Sequence, residues 1–93
     1  MVTKFVEIVK TSRYVSSEAD YTLREVFVNP TQVTMLREDT VMKNLLREGK
    51  LPDELDKRME FTRVYLNTGA DLYVVGAPHL IETKLKQRQI LKG

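Results

Sequence analysis

The sequence predicts an α+β fold: a small antiparallel sheet of four to five strands, an inserted helical hairpin and a C-terminal helix. Three observations lead to this prediction. Short stretches on both sides of the middle of the chain alternate with the two-residue period of strands. The stretch from Arg37 to Glu60 has the period of a helix instead. A last amphipathic stretch begins at Pro78, a residue that suits the first turn of a helix. Strands segregated from helices are typical of the α+β class.

The first predicted strand, KFVEIVKTS, is rich in β-branched and aromatic residues. Alternation places Phe5 and Val9 on one face and Val6 and Ile8 on the other. Apolar residues on both faces predict a central strand, or a strand whose second face meets another subunit.

Two more strands are predicted before the insertion. YTLREVFV alternates again and stops at Asn29, since Pro30 has no N–H to donate to a ladder. TQVTML follows and places Val33 and Met35 on one face. The turn-forming residues between the first two strands, within 12–20, predict a loop or a wide hairpin.

The insertion, residues 37–60, predicts two short helices. Asp39 or Thr40 caps the first and Gly49 ends it. Pro52 suits the first turn of the second helix. Both helices keep one apolar face, formed by Val41, Met42, Leu45 and Leu46 and then by Leu51, Leu55 and Met59.

FTRVYLNTGADLYVV predicts a β-hairpin. Val64 and Leu66 face one way and Arg63 and Tyr65 the other, while Gly69 supplies the positive φ that a tight turn needs. The whole chain, residues 1–93, is therefore read as one domain with the insertion at 37–60.

The composition excludes several classes of protein. The chain has 93 residues, 42% hydrophobic and 30% charged, which is ordinary for a globular protein and too apolar for disorder. It has no cysteine, so disulfides, zinc–cysteine sites and thiol nucleophiles are excluded. No apolar run is long enough to span a bilayer, and the first residues do not form a signal peptide. We expect a cytoplasmic protein with no membrane partner.

No catalytic, metal or cofactor motif is present. His79 with Glu82 supplies too few ligands for a metal site within one chain. The carboxylates near Asp53 open a predicted helix, where the dipole stabilises negative charge. The four glycines are scattered and form no phosphate loop. We therefore predict a protein that is not an enzyme and that carries no cofactor.

One distant resemblance is visible. The pattern EVFVNPTQVTML followed by TRVYLNTGADLYVVGAPHLIETKL resembles short bacterial flagellar proteins of the FlbD/SwrD type. The resemblance covers about half the chain and consists of turn and core residues. It implies a small, non-catalytic accessory protein, although the insertion is absent from that group. Matching positions are Val26, Val28, Asn29, Pro30, Val33, Leu66, Thr68, Gly69, Val74, Val75, Pro78 and Ile81.

The favoured interpretation is a small accessory or regulatory protein that self-associates and binds a macromolecular partner. A compact sequence of this kind is also typical of phage-encoded proteins that redirect a host component. The insertion distinguishes this chain from a minimal sheet, so it is the first candidate for specificity. The predicted partner-binding residues are Met42, Leu46, Leu55, Met59, Tyr65 and Tyr73.

Two alternatives stay open at this point. Aromatic residues on the sheet and a basic C-terminal helix suit single-stranded nucleic acid, because bases stack on aromatic rings. An oligomer that holds a small anionic, nucleotide-like ligand between subunits is the other alternative. The same basic residues serve both: Arg24, Arg63, His79, Lys84, Lys86 and Arg88. A solvated helix face is the favoured explanation of the basic helix.

Overall fold

A computed structural model of the chain describes residues 2–11 and 20–92, with side chains up to residue 86. Its strands are β1 (Thr3–Thr11), β2 (Asp20–Val28), β3 (Val33–Glu38), β4 (Phe61–Leu66) and β5 (Asp71–Val75). Its helices are α1 (Thr40–Arg47) and α2 (Pro78–Lys92), and a short 3-10 helix (Pro30–Gln32) precedes β3. The loop predicted between the first two strands lies outside the described residues, except at Asp20.

The five strands form one antiparallel sheet in the order β2-β1-β5-β4-β3. The predicted α+β class is therefore confirmed. β1 lies between β2 and β5, and Phe5 and Ile8 on its opposite faces are both buried. Of the two alternatives for this strand, the structure supports the central position.

The sheet is strongly curled. β2 and β3 are the two edges of the strand order, yet only residues 29–32 separate them along the chain. In a flat sheet they would lie roughly 19 Å apart, at about 4.8 Å for each strand spacing. Three residues of the link form a compact 3-10 turn, which rises only about 2 Å per residue. The two edges must therefore approach each other.

Each face of the sheet has its own apolar cluster. On one face, α2 inserts Ile81 and Leu85 among residues from all five strands, with Phe5, Val64 and Val74 at the centre. On the other face, α1 inserts Met42 and Leu46. It covers a cluster built on Ile8, Leu51 and Phe61. The two helices therefore occupy opposite sides of one sheet.

The helix and hairpin boundaries follow the capping and turn residues. Asp39 is the N-cap of α1 and its carboxylate accepts a hydrogen bond from the Met42 backbone N–H at 2.9 Å. Gly49 has φ 75° just after α1, and Gly69 has φ 94° in the β4–β5 turn. Both glycines adopt the left-handed region that their predicted roles require.

The second helix of the predicted pair does not form. β3 continues through Arg37 to Glu38, and the residues from 48 to 60 form turns after the single helix α1. The Asp56 side chain accepts hydrogen bonds from the backbone N–H and the Nε of Arg58, at 2.8 and 3.2 Å. Such local side-chain hydrogen bonds compete with helix formation. Leu51 is buried in the α1 cluster and fixes the path of these turns.

Lys43 fastens the end of the turns to α1. Its Nζ donates to the carbonyl of Met59 at 2.7 Å and to that of Lys57 at 3.3 Å. The same ammonium lies 3.0 Å from the Glu60 carboxylate. We call residues 48–60, held in this way, the turn segment.

Candidate functional site

The face of the sheet opposite α2 is only partly covered. We call it the open face. α1 and the turn segment bury its middle, around Ile8 and Phe61. Beyond this cover, Val6 and Phe27 are 38% and 58% exposed. Lys4 pairs with Phe27 and Val6 with Glu25, so Val6 and Phe27 are diagonal neighbours on this face.

The exposed pair lies beside β2, an edge strand that is neither short nor bulged in the described part of the chain. β2 pairs with β1 in an unbroken register of nine residues, from Thr3↔Val28 to Thr11↔Asp20. Within the described residues no strand pairs with the other side of β2. Natural edge strands are commonly short, bulged or covered. β2 is long, regular and without proline.

The opposite edge is protected. β3 has six residues, its register shifts between Val33 and Met35, and α2 packs against it. A short, bulged and partly covered strand pairs poorly with another chain. The two edges of this sheet therefore differ, and β2 is the one suited to accept a further strand.

A second feature of the open face is an arginine between two tyrosine rings. The Arg63 guanidinium carbon lies 5.0 Å from the centre of the Tyr65 ring and 5.4 Å from that of Tyr73. Its Nε donates to the Asp71 carboxylate at 2.6 Å. This hydrogen bond raises the pKa of Arg63 further above its ordinary value. Cation–π contact and ion pairing together hold the two ring faces in place.

A cleft of about 420 Å³ opens beside this group. Its charged lining residues include Lys10 and Arg63 as well as Glu7 and Asp39, so it carries both signs of charge. Tyr73 forms one wall and α1 another. Two of these charged groups already have partners within the chain, since Asp39 caps α1 and Arg63 donates to Asp71.

The predicted partner-binding residues fall into three groups. Met42 and Leu46 are core residues, 7% and 6% exposed, and Leu55 is half-buried against the same cluster. Met59 is 38% exposed on the turn segment. Tyr65 and Tyr73 flank Arg63. The structure thus brings the two tyrosines together and places the insertion's apolar residues mainly in the core.

The predicted basic residues do not converge within one chain. Arg24 pairs with Glu7 at 3.6 Å on the face that α2 covers, whereas Arg63 lies on the open face. His79 is exposed in the first turn of α2. An anion site using all three would therefore need a second subunit.

The remaining basic residues lie on α2. Lys84 Nζ lies 5.9 Å from the centre of the Phe5 ring, and Lys86 pairs with Glu82 at 3.2 Å, one turn earlier on the helix. The side chain of Arg88 lies outside the described part of the chain. The described cations of α2 thus have neighbours typical of a solvated helix face.

Sequence reasoning missed the exposed corner at Val6 and Phe27. The alternation in LREVFV shows that Leu23 and Phe27 share a face, but it does not show which part of that face is covered. Coverage depends on where α1 packs and on the strand order, and both are set by contacts distant in sequence. Pro30 marks where this strand ends along the chain, but its position at the edge of the sheet depends on the strand order.

Comparisons of this chain with protein families, curated proteins and solved structures found no match. Among the described residues, no three histidine, aspartate or glutamate side chains gather as a metal site would require. Within the same part of the chain, neither helix has the length and apolar character needed to cross a membrane.

Proposed function

We propose that this chain is a small, non-enzymatic accessory or regulatory protein of the cytoplasm that self-associates and binds a macromolecular partner. One observation carries the proposal: among the described residues no strand pairs with the outer side of the edge strand β2, and Phe27 is exposed at its end. An open edge offers backbone hydrogen bonds to another chain, and the exposed ring adds an apolar anchor.

The exposed ring is a substantial source of binding energy. A phenylalanine has about 200 Å² to bury, and burial contributes about 25 cal/mol per Å². Covering the 58% of Phe27 that is exposed would therefore contribute on the order of 2–3 kcal/mol. Val6 extends the same surface.

The structure also guides which predicted partner residues to test. Met59, Tyr65 and Tyr73 reach the surface at least in part, so these three remain direct candidates. Met42 and Leu46 lie in the apolar cluster beneath this surface. Substituting a charge at either position would disturb the core before it tested binding.

The first experiment compares the natural chain with Phe27→Glu by size exclusion with light scattering and 260/280 nm absorbance. We expect the natural chain to elute as an oligomer and Phe27→Glu as a monomer. Leu80→Glu is the matched control, because Leu80 is also exposed, at 51%, but lies on α2. An oligomer that survives Phe27→Glu, or a natural chain that is monomeric and binds no partner, would contradict the proposal.

The Arg63 group favours a second candidate function, binding of single-stranded nucleic acid. Tyr65 and Tyr73 hold their rings beside a cation on an incompletely covered sheet face, an arrangement on which bases stack. The absorbance measurement separates the two functions. Co-purified material absorbing at 260 nm, lost at high salt and absent from Tyr65→Ala, would support nucleic-acid binding instead.

Two predictions about origin stand beside the proposal. The resemblance to flagellar FlbD/SwrD-type proteins agrees with a non-catalytic accessory role. A phage-encoded protein that binds a host component would use the same surface. Both remain predictions.

A further inference from the structure

We propose that β2 pairs with β2 of a second copy of this chain, antiparallel and centred on Glu25, to join the two sheets into one of ten strands. The inference rests on the self-association proposed above and identifies its surface, register and symmetry. The occupant is the same chain because the exposed residues of β2 complement themselves, as the following geometry shows.

A two-fold axis perpendicular to a sheet keeps each face on its own side. Residues directly opposite each other across the axis must therefore point to the same face, which requires the axis to pass through a residue and not between two. On the open face the available residues of β2 are Tyr21, Leu23, Glu25 and Phe27. The correct register must cover the exposed ring of Phe27.

Only two registers pair seven or more residues of β2 and place Phe27 opposite another residue of the strand. An axis through Glu25 pairs residues 22–28 of the two copies, and Phe27 of each copy lies opposite Leu23 of the other. Centring on Arg24 pairs residues 20–28 and sets Phe27 opposite Tyr21. An axis through Leu23 would set Phe27 opposite residue 19, which lies before Asp20, the first residue of β2. Centres beyond Glu25 pair five residues or fewer.

The residues set opposite each other decide between the two registers. Each places one residue opposite its own copy, and opposed like charges are destabilising. Glu25 lies 3.4 Å from Lys4 and Arg24 lies 3.6 Å from Glu7 of the same chain, so both centres have an opposite charge beside them. The register on Arg24, however, sets the Glu25 carboxylate opposite the apolar Leu23, whereas the register on Glu25 sets Leu23 opposite Phe27. The register on Glu25 is therefore favoured.

Hydrophobic burial outweighs the remaining repulsion. Two Phe27–Leu23 pairs form across the axis, and Leu23 is itself only half-buried. Covering even half of the exposed surface of both phenyl rings outweighs the repulsion of one pair of opposed carboxylates. Backbone hydrogen bonds along seven residues add to this balance.

A single cysteine tests the register directly, since the chain contains no other cysteine. In the inferred dimer the two copies of residue 25 face each other with Cα atoms about 4.5–5.5 Å apart, within disulfide range. We expect Glu25→Cys to form a disulfide-linked dimer on mild oxidation. Lys4→Cys is the matched control: it is similarly exposed, but its two copies would lie three strand spacings apart and four residues out of line, roughly 20 Å.

Two further variants test the inference, and the second does so without the cysteine. Adding Phe27→Glu to Glu25→Cys should abolish the cross-link, because the burial that drives pairing is lost. Glu25→Gln should tighten the dimer, shifting dissociation to lower protein concentration, because it removes the opposed charges. Weaker association of Glu25→Gln would overturn the inference.

The outcomes separate this inference from the proposed function. If the natural chain is oligomeric but Glu25→Cys does not cross-link, or Lys4→Cys cross-links equally well, the β2 register is wrong and self-association stands. If Arg24→Cys cross-links in place of Glu25→Cys, the alternative register replaces the one inferred. A monomeric natural chain would overturn both the inference and the self-association on which it rests.

Discussion

Lys43 compensates for the helix that does not form. Its ammonium donates to two carbonyls of the turn segment and pairs with the Glu60 carboxylate. These contacts of one α1 side chain hold the turn segment in place of the hydrogen bonds of a helix. The hydrogen bond from Lys43 is the main cause that holds the pKa of Glu60 below its ordinary value. The ionised form of Glu60 is therefore favoured in the folded chain.

Replacing Lys43 with methionine should raise the pKa of Glu60 toward its ordinary value, as measured by NMR titration of the side-chain carboxyl. The sign for stability follows from linkage. Because the pKa of Glu60 is lower in the folded chain than in the unfolded chain, the ionised carboxylate stabilises the fold at pH values above the unfolded pKa. That stabilisation is lost as the pH falls through the folded pKa. We therefore expect the free energy of unfolding of Lys43→Met to depend less on pH in this acidic window.

Lys50→Met is the control for that measurement. Lys50 is exposed and pairs with Glu48 at 3.3 Å, away from Glu60. The pKa of Glu60 should be unchanged in this variant. An unchanged pKa in Lys43→Met as well would show that Lys43 does not determine it.

At the scale of elements, the junctions are set by glycines with different surroundings. Gly76 has φ 124° between β5 and α2, and a Cβ there would lie 3.1 Å from the Ile81 Cδ1 in the core. Gly49 has φ 75° after α1, and a Cβ there would meet open space. The junction at Gly76 is constrained by both its backbone conformation and its packing against Ile81. The junction at Gly49 is constrained by its backbone conformation alone.

These surroundings predict an order of stability. Gly49→Ala should lower the free energy of unfolding by about 1–2 kcal/mol, the cost of a Cβ in the left-handed region. Gly76→Ala should cost more, because the methyl group must also displace Ile81. Urea denaturation of the two variants measures the difference, and an equal or reversed order would show that Ile81 yields without cost.

The elements that the sequence predicts well are those determined by neighbours along the chain. Alternation locates the strands, Gly69 marks the β4–β5 turn, and Asp39 caps α1. The second helix fails because Asp56 prefers a local turn and Leu51 is drawn into the core. Neither preference is visible in the period of the apolar residues.

The candidate site could be predicted only in part for the same reason. Arg63 and Tyr65 share a face by alternation, and the hairpin brings Tyr73 beside them. The exposure of Phe27 could not be predicted, because it depends on the strand order and on the position of α1. Both result from contacts between residues far apart in sequence.

At the scale of the whole molecule, the proposed self-association would link stability to concentration. A partner that binds only the folded chain stabilises it by mass action. We expect the melting temperature of the natural chain to rise with protein concentration. That of Phe27→Glu should stay constant over the same range, and a rise of equal size in both chains would contradict pairing at the Phe27 corner.

The order of the strands in the sheet also determines when the chain can fold during synthesis. β1 pairs with β2 nearby but also with β5, where Glu7 lies opposite Val74. The β1–β2 hairpin can form early, yet the other side of β1 must wait until β5 has left the ribosome. Contacts of such sequence separation slow folding. For most of its synthesis the nascent hairpin therefore has two unpaired edges, which is when a chaperone would be most useful.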